Sequence, residues 1–323
     1  MSLLNEQPII YNIFFNAIKK GKIFHAYLIC GENHDYLKYI SFYLSASLVC
    51  DNFPHSLACE KCCTCKKVIT NNYEDLIFLD GSNDMIKKEN IDCIFEKFSN
   101  FALNNNKNKN ICILHLIENI SDEAANSLLK FLEEPPKNSF LFLTTANVEK
   151  VLPTIISRCQ KLNVKPVSKK ILLEFFLANK IPRRDSEILS FICENVYDIK
   201  NIYNEDFKNI RDKCFIFLNC IGNKQDLIFI TNYTICKTLD NKKKVLLFLN
   251  ILAIFLRDIL YFKNNQEIYL KTYEKLINKI SFLENIDILI NEIEKLKGDI
   301  YLNINLANVL EHLAIFIIKN NIK

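Results

Sequence analysis

Four short apolar runs in the first half of the chain are the feature that most limits its fold. Amphipathic stretches with helical spacing separate these runs, around Leu37–Val49, Ile91–Leu103 and Asp122–Leu132. The runs themselves are candidates for buried strands and lie at Ala26–Cys30, Leu76–Leu79, Ile111–Leu116 and Phe140–Thr145. Strands that alternate with helices form βαβ units, in which helices cover both faces of a parallel sheet. Residues 1–166 are therefore predicted to form an α/β domain.

The residues after Pro166 show no strand pattern. Long stretches such as Lys244–Phe262 carry apolar residues at three- and four-residue spacing, which is typical of packed helices. The chain has 323 residues, which is too long for one ordinary core and favours two or three domains. We expect a small helical domain at residues 167–206 and a larger all-α domain at residues 207–323.

The composition indicates a folded protein of the cytoplasm. Half of the residues are hydrophobic, and the net charge of +4 neither requires nor excludes a nucleic acid partner. No signal peptide is evident, and apolar runs such as Val245–Leu256 stop short of the ~20 residues that a membrane span needs. We therefore expect no membrane contact, and we expect the 13 cysteines to be reduced thiols rather than disulfides.

Four cysteines form the strongest chemical motif, with the spacing Cys50-x8-Cys59-x2-Cys62-x2-Cys65. Four thiolates at this spacing can close tetrahedrally on zinc, and a closed four-sulfur site leaves no position for a substrate. The motif predicts a structural zinc module at residues 50–65. Cys63 breaks the spacing and is left out of the ligand set. The alternative is a group of buried, metal-free thiols.

The segment after the first strand has the position of a phosphate-binding loop but lacks its residues. Such a loop follows the pattern G-x-x-x-x-G-K-[ST], in which glycines let backbone N–H groups approach phosphate and the Lys pairs with it. Aligned on Gly31, the last three positions are Tyr36, Leu37 and Lys38. A side chain as large as Tyr would block the close backbone approach.

Several blocks of residues together carry a family resemblance. They are His25–Leu28, the four cysteines, the stretch Ala125–Pro136 (ANSLLKFLEEPP) and Thr154–Cys159 (TIISRC). With these blocks the chain resembles the bacterial clamp-loader subunits of the AAA+ family, and among them the delta-prime type of DNA polymerase III. The resemblance is strong over residues 8–165. It implies an AAA+ parallel-sheet domain with a zinc-binding insertion, then a small helical lid and an all-α collar for oligomerisation.

The resemblance also implies a function. Clamp loaders are five-subunit rings that open a sliding clamp and place it on primed DNA, and delta-prime subunits act in them as a stator that does not hydrolyse ATP. The expected partners are the gamma/tau ATPase subunits and the delta subunit, with the clamp contacted indirectly and primed DNA reached through the assembled complex. Zinc is the expected cofactor, and this subunit is expected to bind no ATP.

Arg158 is the residue to which the resemblance assigns a catalytic role in trans. In this family the arginine of the Ser-Arg-Cys motif projects into the ATP site of a neighbouring subunit. A planar guanidinium makes two directed hydrogen bonds to a phosphoryl group, which Lys cannot replace well. The alternative is an ordinary surface arginine that bonds a nearby carboxylate.

The departures from an ATPase pattern favour the delta-prime type. At the end of the third strand, His115-Leu116-Ile117-Glu118 stands in place of the acidic pair that holds magnesium and polarises water. Glu118 lies three positions late, and we interpret it as a solvated charge. Two other functions stay open. An active gamma/tau-type ATPase would require an intact Gly-Lys-Thr, and a zinc-dependent nucleic-acid-binding module would require a basic or aromatic surface near the cysteines.

Overall fold

The chain folds into two compact units, residues 1–166 and 167–323. A computed structural model of the protein describes residues 3–82, 84–103, 109–301 and 305–321. The expected further division of the second unit at residue 206 stays a prediction, and the outermost residues of the expected domains lie outside the described ranges. Each unit is described by itself below.

The first unit alternates helices and strands in the order that the sequence pattern predicts. Its elements are α1 (Leu3–Glu6), α2 (Pro8–Lys19), β1 (Ala26–Cys30), α3 (His34–Leu48), α4 (Cys63–Ile69), β2 (Leu76–Asp80), α5 (Lys88–Leu103), β3 (Asn110–His115), α6 (Asp122–Glu133), β4 (Ser139–Thr145), α7 (Pro153–Ile156) and β5 (Gln160–Asn163). The five strands form one parallel sheet in the order β2-β3-β4-β1-β5. The predicted α/β class with a parallel sheet is confirmed.

The edge strand β5 was not predicted from the sequence. It pairs in parallel with β1, so that Tyr27 lies opposite Gln160 and Ile29 opposite Leu162. Leu162 is its one fully buried residue, because an edge strand of four residues has little contact with the core. Three of its four residues are polar, so the segment has no apolar run to mark it as a strand.

Aromatic and aliphatic side chains cover the two faces of the sheet separately. On one face, the ring of Phe14 from α2 packs on Tyr27 and Phe142, with centroid distances of 5.2 and 6.0 Å. On the other face, Leu28 and Leu143 join an aliphatic cluster with residues of α5 and α6. Successive side chains of a strand point to opposite faces, so a strand with both faces buried is apolar throughout.

Helix α6 begins and ends where the sequence predicts. The Ser121 hydroxyl accepts a hydrogen bond from the Ala124 N–H at 3.2 Å, which caps the first turn. Pro135 and Pro136 follow the last helical turn and stop the helix. This helix therefore holds the Leu-Glu-Glu-Pro-Pro block in a defined position, with Glu133 as its last helical residue.

The second unit consists of helices throughout the part that the structure describes. They are α8 (Lys169–Ala178), α9 (Arg183–Ile192), α10 (Ile199–Ile202), α11 (Glu205–Cys220), α12 (Lys224–Ile230), α13 (Cys236–Thr238), α14 (Lys242–Lys263), α15 (Glu274–Lys279), α16 (Ile286–Tyr301) and α17 (Leu306–Asn321). A short π-helical segment, Thr231–Ile235, joins α12 to α13. The predicted absence of strands after Pro166 agrees with these described residues.

Helix α14 is longer than the apolar run that the sequence suggested. Within the described residues it is the one helix that is long and apolar enough to cross a membrane. In its most apolar stretch of 18 residues, 61% of the residues are buried inside the protein. The carboxylate of Asp258 in this helix is also buried, and it accepts hydrogen bonds from the backbone N–H groups of Tyr269 and Leu270. Burial of this extent is typical of a core helix.

Two glycines, one crowded by backbone atoms and one in open space, provide a matched test of how tightly the chain packs around them. A Cβ atom at Gly81, just after β2, would lie 2.7 Å from the carbonyl oxygen of Leu116 and 2.9 Å from that of His115. Because backbone atoms cannot move aside cheaply, Gly81→Ala should lower the free energy of unfolding by about 1–3 kcal/mol. Gly298 lies in α16 with no atom within 4 Å of its added Cβ, so Gly298→Ala should raise it by about 0.5–1 kcal/mol. Urea denaturation measures the free energy of unfolding of both variants. A change of the same sign and size in the two would contradict the different surroundings given to the two glycines.

Candidate functional sites: the sheet edge, the cysteine cluster and Arg158

The connection after β1 is too short to form a phosphate-binding loop. Strand β1 ends at Cys30 and α3 begins at His34, so only Gly31, Glu32 and Asn33 lie between them. The Asn33 side chain caps the helix by accepting a hydrogen bond from the Tyr36 N–H at 2.8 Å. The interpretation of residues 31–38 as a loop is therefore wrong in its second half, which is helical. A backbone N–H that a phosphate would need is already used.

Side chains occupy the place of the phosphate-binding glycine and lysine. Tyr36 is 2% exposed and Leu37 is 1% exposed. The Tyr36 hydroxyl donates a hydrogen bond to Oε2 of Glu6 at 2.8 Å, and burial raises the pKa of that carboxyl. At Gly31 an added Cβ would lie 3.0 Å from Cβ of Val164, so this glycine accommodates the chain's own packing. Tyr36 and Leu37 are therefore part of the core.

Lys38, at the position of the magnesium-binding hydroxyl residue, is held by an internal partner. Its Nζ lies 3.2 Å from Oδ2 of Asp80 at the end of β2 and 4.5 Å from the ring centroid of Phe78. Both members of the ion pair are partly exposed, so the pair contributes about 0–1 kcal/mol. The ion pair attaches α3 to the edge of the sheet. Lys38 thus keeps a positive charge here, but it belongs to a helix and is paired with Asp80.

His115 stands at the end of β3, where an ATPase has its acidic pair. Its Nδ1 lies 2.7 Å from Oγ1 of Thr144, and the Leu116 N–H donates to the same hydroxyl at 3.0 Å. Burial lowers the pKa of His115 to about 4, which keeps the imidazole neutral at physiological pH. A neutral, hydrogen-bonded ring cannot hold magnesium in place of a carboxylate. Thr144 serves an internal contact.

Glu118 is not the solvated charge that the sequence suggested. It is half-buried, and its Oε1 accepts a hydrogen bond from the Ala146 N–H at 2.9 Å. Its Oε2 is buried and has no hydrogen-bond partner among the described residues. The carboxylate therefore joins the turn after β3 to the end of β4. This contact explains its position without any catalytic role.

The four predicted zinc ligands lie together. The Sγ atoms of Cys50, Cys59, Cys62 and Cys65 are all within 4.8 Å of one another. Tetrahedral zinc with Zn–S bonds of about 2.3 Å places its sulfur atoms about 3.8 Å apart, so this cluster fits the metal. Cys63 is exposed and outside the cluster, as its spacing suggested. The donor set is therefore suited to a closed metal site.

Backbone geometry prepares this cluster. Sγ of Cys62 accepts a hydrogen bond from the Cys65 N–H and caps α4, and Sγ of Cys59 accepts one from the Cys62 N–H. Backbone N–H groups, that of Cys62 first and that of Lys61 next, lower the pKa of the Cys59 thiol to about 6. Burial raises the pKa of Cys50 and Cys65. A bound cation would hold all four as thiolates, because metal binding displaces their protons.

Two contacts attach the cysteine segment to α3. The Ala58 N–H donates to Oγ of Ser47 at 2.9 Å, and the Tyr39 hydroxyl donates to Oε1 of Glu60 at 3.3 Å. The segment 51–62 has no helix or strand of its own, and Leu57 is its main buried apolar side chain. A metal would therefore supply order that this segment's small core does not.

Arg158 follows α7 and is partly exposed at the surface of the first unit. Its Nη2 lies 2.8 Å from Oε1 of Glu133, and its Nη1 donates to the Thr154 carbonyl oxygen at 3.1 Å. In the isolated chain Arg158 therefore bonds a nearby carboxylate, as an ordinary surface arginine would. The side chains of Arg158 and Glu133 are 37% and 53% exposed, and a solvated ion pair of this kind is worth about 0–1 kcal/mol. The guanidinium can change partners at low cost.

The internal partners of these residues could not be found from the sequence. Glu6 bonds Tyr36 across 30 positions, Asp80 bonds Lys38 across 42, and Glu133 bonds Arg158 across 25. No short-range spacing links such pairs. Only the fold brings them together.

The buried imidazole of His115 predicts a specific pH dependence. Below the ordinary histidine pKa of about 6.5 the unfolded chain binds a proton that the folded chain excludes until pH is about 4. His115 should therefore destabilise the fold as pH falls between these values, by up to about 3 kcal/mol. In His115→Gln, which does not titrate, this component is absent. Urea denaturation of both proteins between pH 7 and pH 4 measures it, and a constant difference would contradict the prediction.

Comparison with known proteins shows which family this chain belongs to. Residues 6–168 match the family described as DNA polymerase III, delta subunit. The delta' subunit of DNA polymerase III from Bacillus subtilis is 27% identical over 323 residues, 97% of this chain and 97% of that protein. A gamma subunit from Buchnera aphidicola subsp. Schizaphis graminum is 27% identical over 308 residues, 90% of this chain and 82% of that protein.

A solved structure of a DNA polymerase III gamma subunit-related protein from Thermotoga maritima covers 96% of this chain and 99% of its own, with 17% identity and a TM-score of 0.38. The family match carries the assignment, because it spans half of the chain and includes both the cysteine cluster and Arg158. The chain therefore belongs to the DNA polymerase III delta subunit family, and its resemblance to delta-prime clamp-loader subunits is confirmed.

Proposed function

We propose that this chain is a non-catalytic stator subunit of the DNA polymerase III clamp loader, of the delta-prime type. It helps to load the sliding clamp onto primed DNA and works in a ring with gamma/tau ATPase and delta subunits. The observation that carries the proposal is the burial of Tyr36 and Leu37 where an ATPase keeps its phosphate-binding glycine and lysine. Its relatives point to a cytoplasmic replication protein.

Several features argue against ATP hydrolysis by this subunit. The Tyr36 N–H is used by the Asn33 cap, so the first turn of α3 has lost a donor for phosphate. Lys38 is paired with Asp80, and His115 supplies no carboxylate for magnesium. Hydrolysis requires a phosphate cradle, a bound metal and an activated water together. The described site offers none of the three in working form.

Arg158 is proposed to act on a neighbouring subunit. It is partly exposed, it lies in the Ser-Arg-Cys sequence of the resemblance, and its ion pair with Glu133 is weak enough to exchange for a phosphate. A guanidinium supplied in trans neutralises the charge that develops on the transferred phosphoryl group. The contact with Glu133 would hold the side chain in place before the ring assembles.

Replacing each member of this ion pair separately tests the role. Arg158→Ala should leave the isolated chain folded and should slow ATP turnover by the reconstituted complex, because the site that Arg158 faces would lose a stabilisation worth roughly 10³-fold or more in rate. The matched control is Glu133→Ala, which breaks the same pair but keeps the guanidinium. Steady-state phosphate release at saturating subunit concentration measures both.

Glu133→Ala should retain turnover, since only the partner of the arginine is removed. If both variants slow turnover equally, the ion pair itself matters and the finger role is wrong. Unchanged turnover in Arg158→Ala would also exclude the role. Arg158→Lys should resemble Arg158→Ala more than the parent protein, because the bidentate geometry is lost.

An active gamma/tau-type ATPase is the second candidate, and the similarity to a gamma subunit favours it. Calorimetric titration of the zinc-loaded chain with ATP and magnesium separates the two functions. A stator should show no tight, magnesium-dependent binding of ATP, because Tyr36 and Leu37 fill the site. Weak binding that does not require magnesium would lie elsewhere on the chain and would not support the ATPase candidate. Tight stoichiometric binding would require the helix start at His34 to unwind and would restore the ATPase candidate.

The cysteine cluster is proposed to bind one structural zinc ion. The four sulfur atoms already lie at nearly ligating separations, and the segment around them has little core. Zinc ligation contributes about 10–16 kcal/mol in small zinc-finger peptides, far more than such a segment gains from Leu57 alone. A zinc-dependent nucleic-acid-binding module remains a weaker alternative, since the charged residues around the cysteines give a mixed, only mildly basic surface, namely Asp51, Glu60, Lys61, Lys66 and Lys67.

Two neighbouring cysteines provide a matched test of the zinc site. Cys62→Ser removes a proposed ligand but keeps a side-chain acceptor that can cap α4, so it should abolish stoichiometric zinc and lower the melting temperature of the protein through loss of the metal. Cys63→Ser changes an exposed residue outside the cluster and should keep one zinc per chain. Elemental analysis after zinc-replete expression measures both. Parent protein without zinc, or equal loss in the two variants, would exclude the site.

A further inference from the structure

The second compact unit contains a cavity of about 470 Å³ that the functions above do not use. Its wall combines the start of α8, one side of α9 from Arg183 to Phe191, and the segment 267–271. The charged residues that line it are four cations and two carboxylates, namely Lys169, Lys170, Arg183, Lys271, Glu187 and Glu267. The lining is therefore positive on balance.

Internal partners neutralise both carboxylates. Glu187 is buried; its Oε1 accepts from Nε of Arg183 at 3.0 Å and its Oε2 from the Thr272 N–H at 3.0 Å. Glu267 forms an exposed ion pair with Lys271. The two carboxylates are thus matched by Arg183 and Lys271. Lys169 and Lys170 are the remaining positive charge of the cavity.

Two helix starts add to this positive potential. Helices α8 and α9 have ten residues each, and the side chains of their cap residues, Ser168 and Pro182, make no capping hydrogen bond. Uncapped backbone N–H groups at a helix start favour an anion. Burial lowers the pKa of Lys169, and Arg257 lowers it further while Asp258 opposes this effect. A bound anion would relieve this unfavourable setting of Lys169.

Aromatic rings lie beside these cations. Nζ of Lys169 is 3.7 Å from the ring centroid of Phe191 and 5.7 Å from that of Tyr269. The rings of Phe191 and Tyr269 meet edge to face at 5.2 Å. The ring of Tyr269 also meets that of Tyr261 at 5.7 Å, yet the residue is 51% exposed, so part of it is open to a ligand. Cations next to an exposed aromatic ring are the combination that holds a phosphate and stacks a base.

We propose that this cavity binds a nucleotide, with its phosphate held by Lys169, Lys170 and the start of α8 and with its base stacked on Tyr269. The cavity volume suits one nucleotide unit rather than a folded partner. That unit is either a free mononucleotide or one residue of a single-stranded nucleic acid, since both present the same base and phosphate. The inference does not rest on the roles of Arg158 or zinc.

The test uses the full-length, zinc-loaded chain and two probes. A fluorescein-labelled oligodeoxyadenylate of about ten nucleotides is titrated by anisotropy at low salt, where phosphate contacts are strongest. Free dAMP is then added as a competitor. Lys169→Ala/Lys170→Ala should weaken oligonucleotide binding about tenfold or more and reduce its salt dependence. Tyr269→Leu should weaken it about fivefold or more, whereas Tyr269→Phe keeps the ring and should bind like the parent.

Matched lysines control for nonspecific charge. Lys243→Ala/Lys275→Ala removes the same net charge from exposed positions outside the cavity and should leave binding nearly unchanged. Thermal melts of all variants establish that each is folded. Competition by dAMP supports a mononucleotide ligand, and binding of the oligonucleotide alone supports a single strand. Equal loss in the two double variants, or no binding of either probe at millimolar concentration, would overturn the proposal.

Discussion

Burial of the parallel sheet on both faces is the constraint on which the first unit depends. The rings of Phe14, Tyr27 and Phe142 seal one face, and the leucines around Leu28 and Leu143 seal the other. A sheet covered in this way exposes only its edges and the ends of its strands. Polar chemistry in parallel α/β folds therefore gathers at the carboxyl ends of the strands. In this chain those ends lead into Gly31, Gly81, Leu116 and Ala146.

The carboxyl ends of these strands are filled by contacts within the chain. Four contacts each satisfy a group that a nucleotide and its metal would otherwise engage. They are the Asn33 cap, the Tyr36–Glu6 hydrogen bond, the Lys38–Asp80 ion pair and the His115–Thr144 contact. Buried polar groups must find partners, and here they find them locally. The parallel-sheet fold is thus kept while the space at the carboxyl ends of its strands is closed.

The sequence predicted the parts of this arrangement that depend on short-range pattern. Four strands were visible as apolar runs, α6 as a capped helix before two prolines, and the cysteine cluster as a spacing. Strand β5 has no apolar run, because three of its four residues are polar. The apolar pattern of α3 begins only at Leu37, because His34 and Asp35 are polar, so the sequence places the start of this helix too late. Glu133 and the nucleotide-sized cavity near Lys169 depend on contacts between distant segments. Such contacts follow from packing, which a single sequence does not display.

The two halves of the proposed ATP chemistry differ in how readily this chain can perform them. Accepting a nucleotide would require Tyr36 and Leu37 to leave the core, and burial of each such side chain is worth about 1.5–3 kcal/mol. Donating Arg158 requires only the loss of an exposed ion pair worth about 0–1 kcal/mol. The larger cost falls on nucleotide binding, which the proposed stator does not need, and the smaller falls on the proposed donation of Arg158. A rigid subunit with a closed site and a movable arginine is the arrangement that this difference favours.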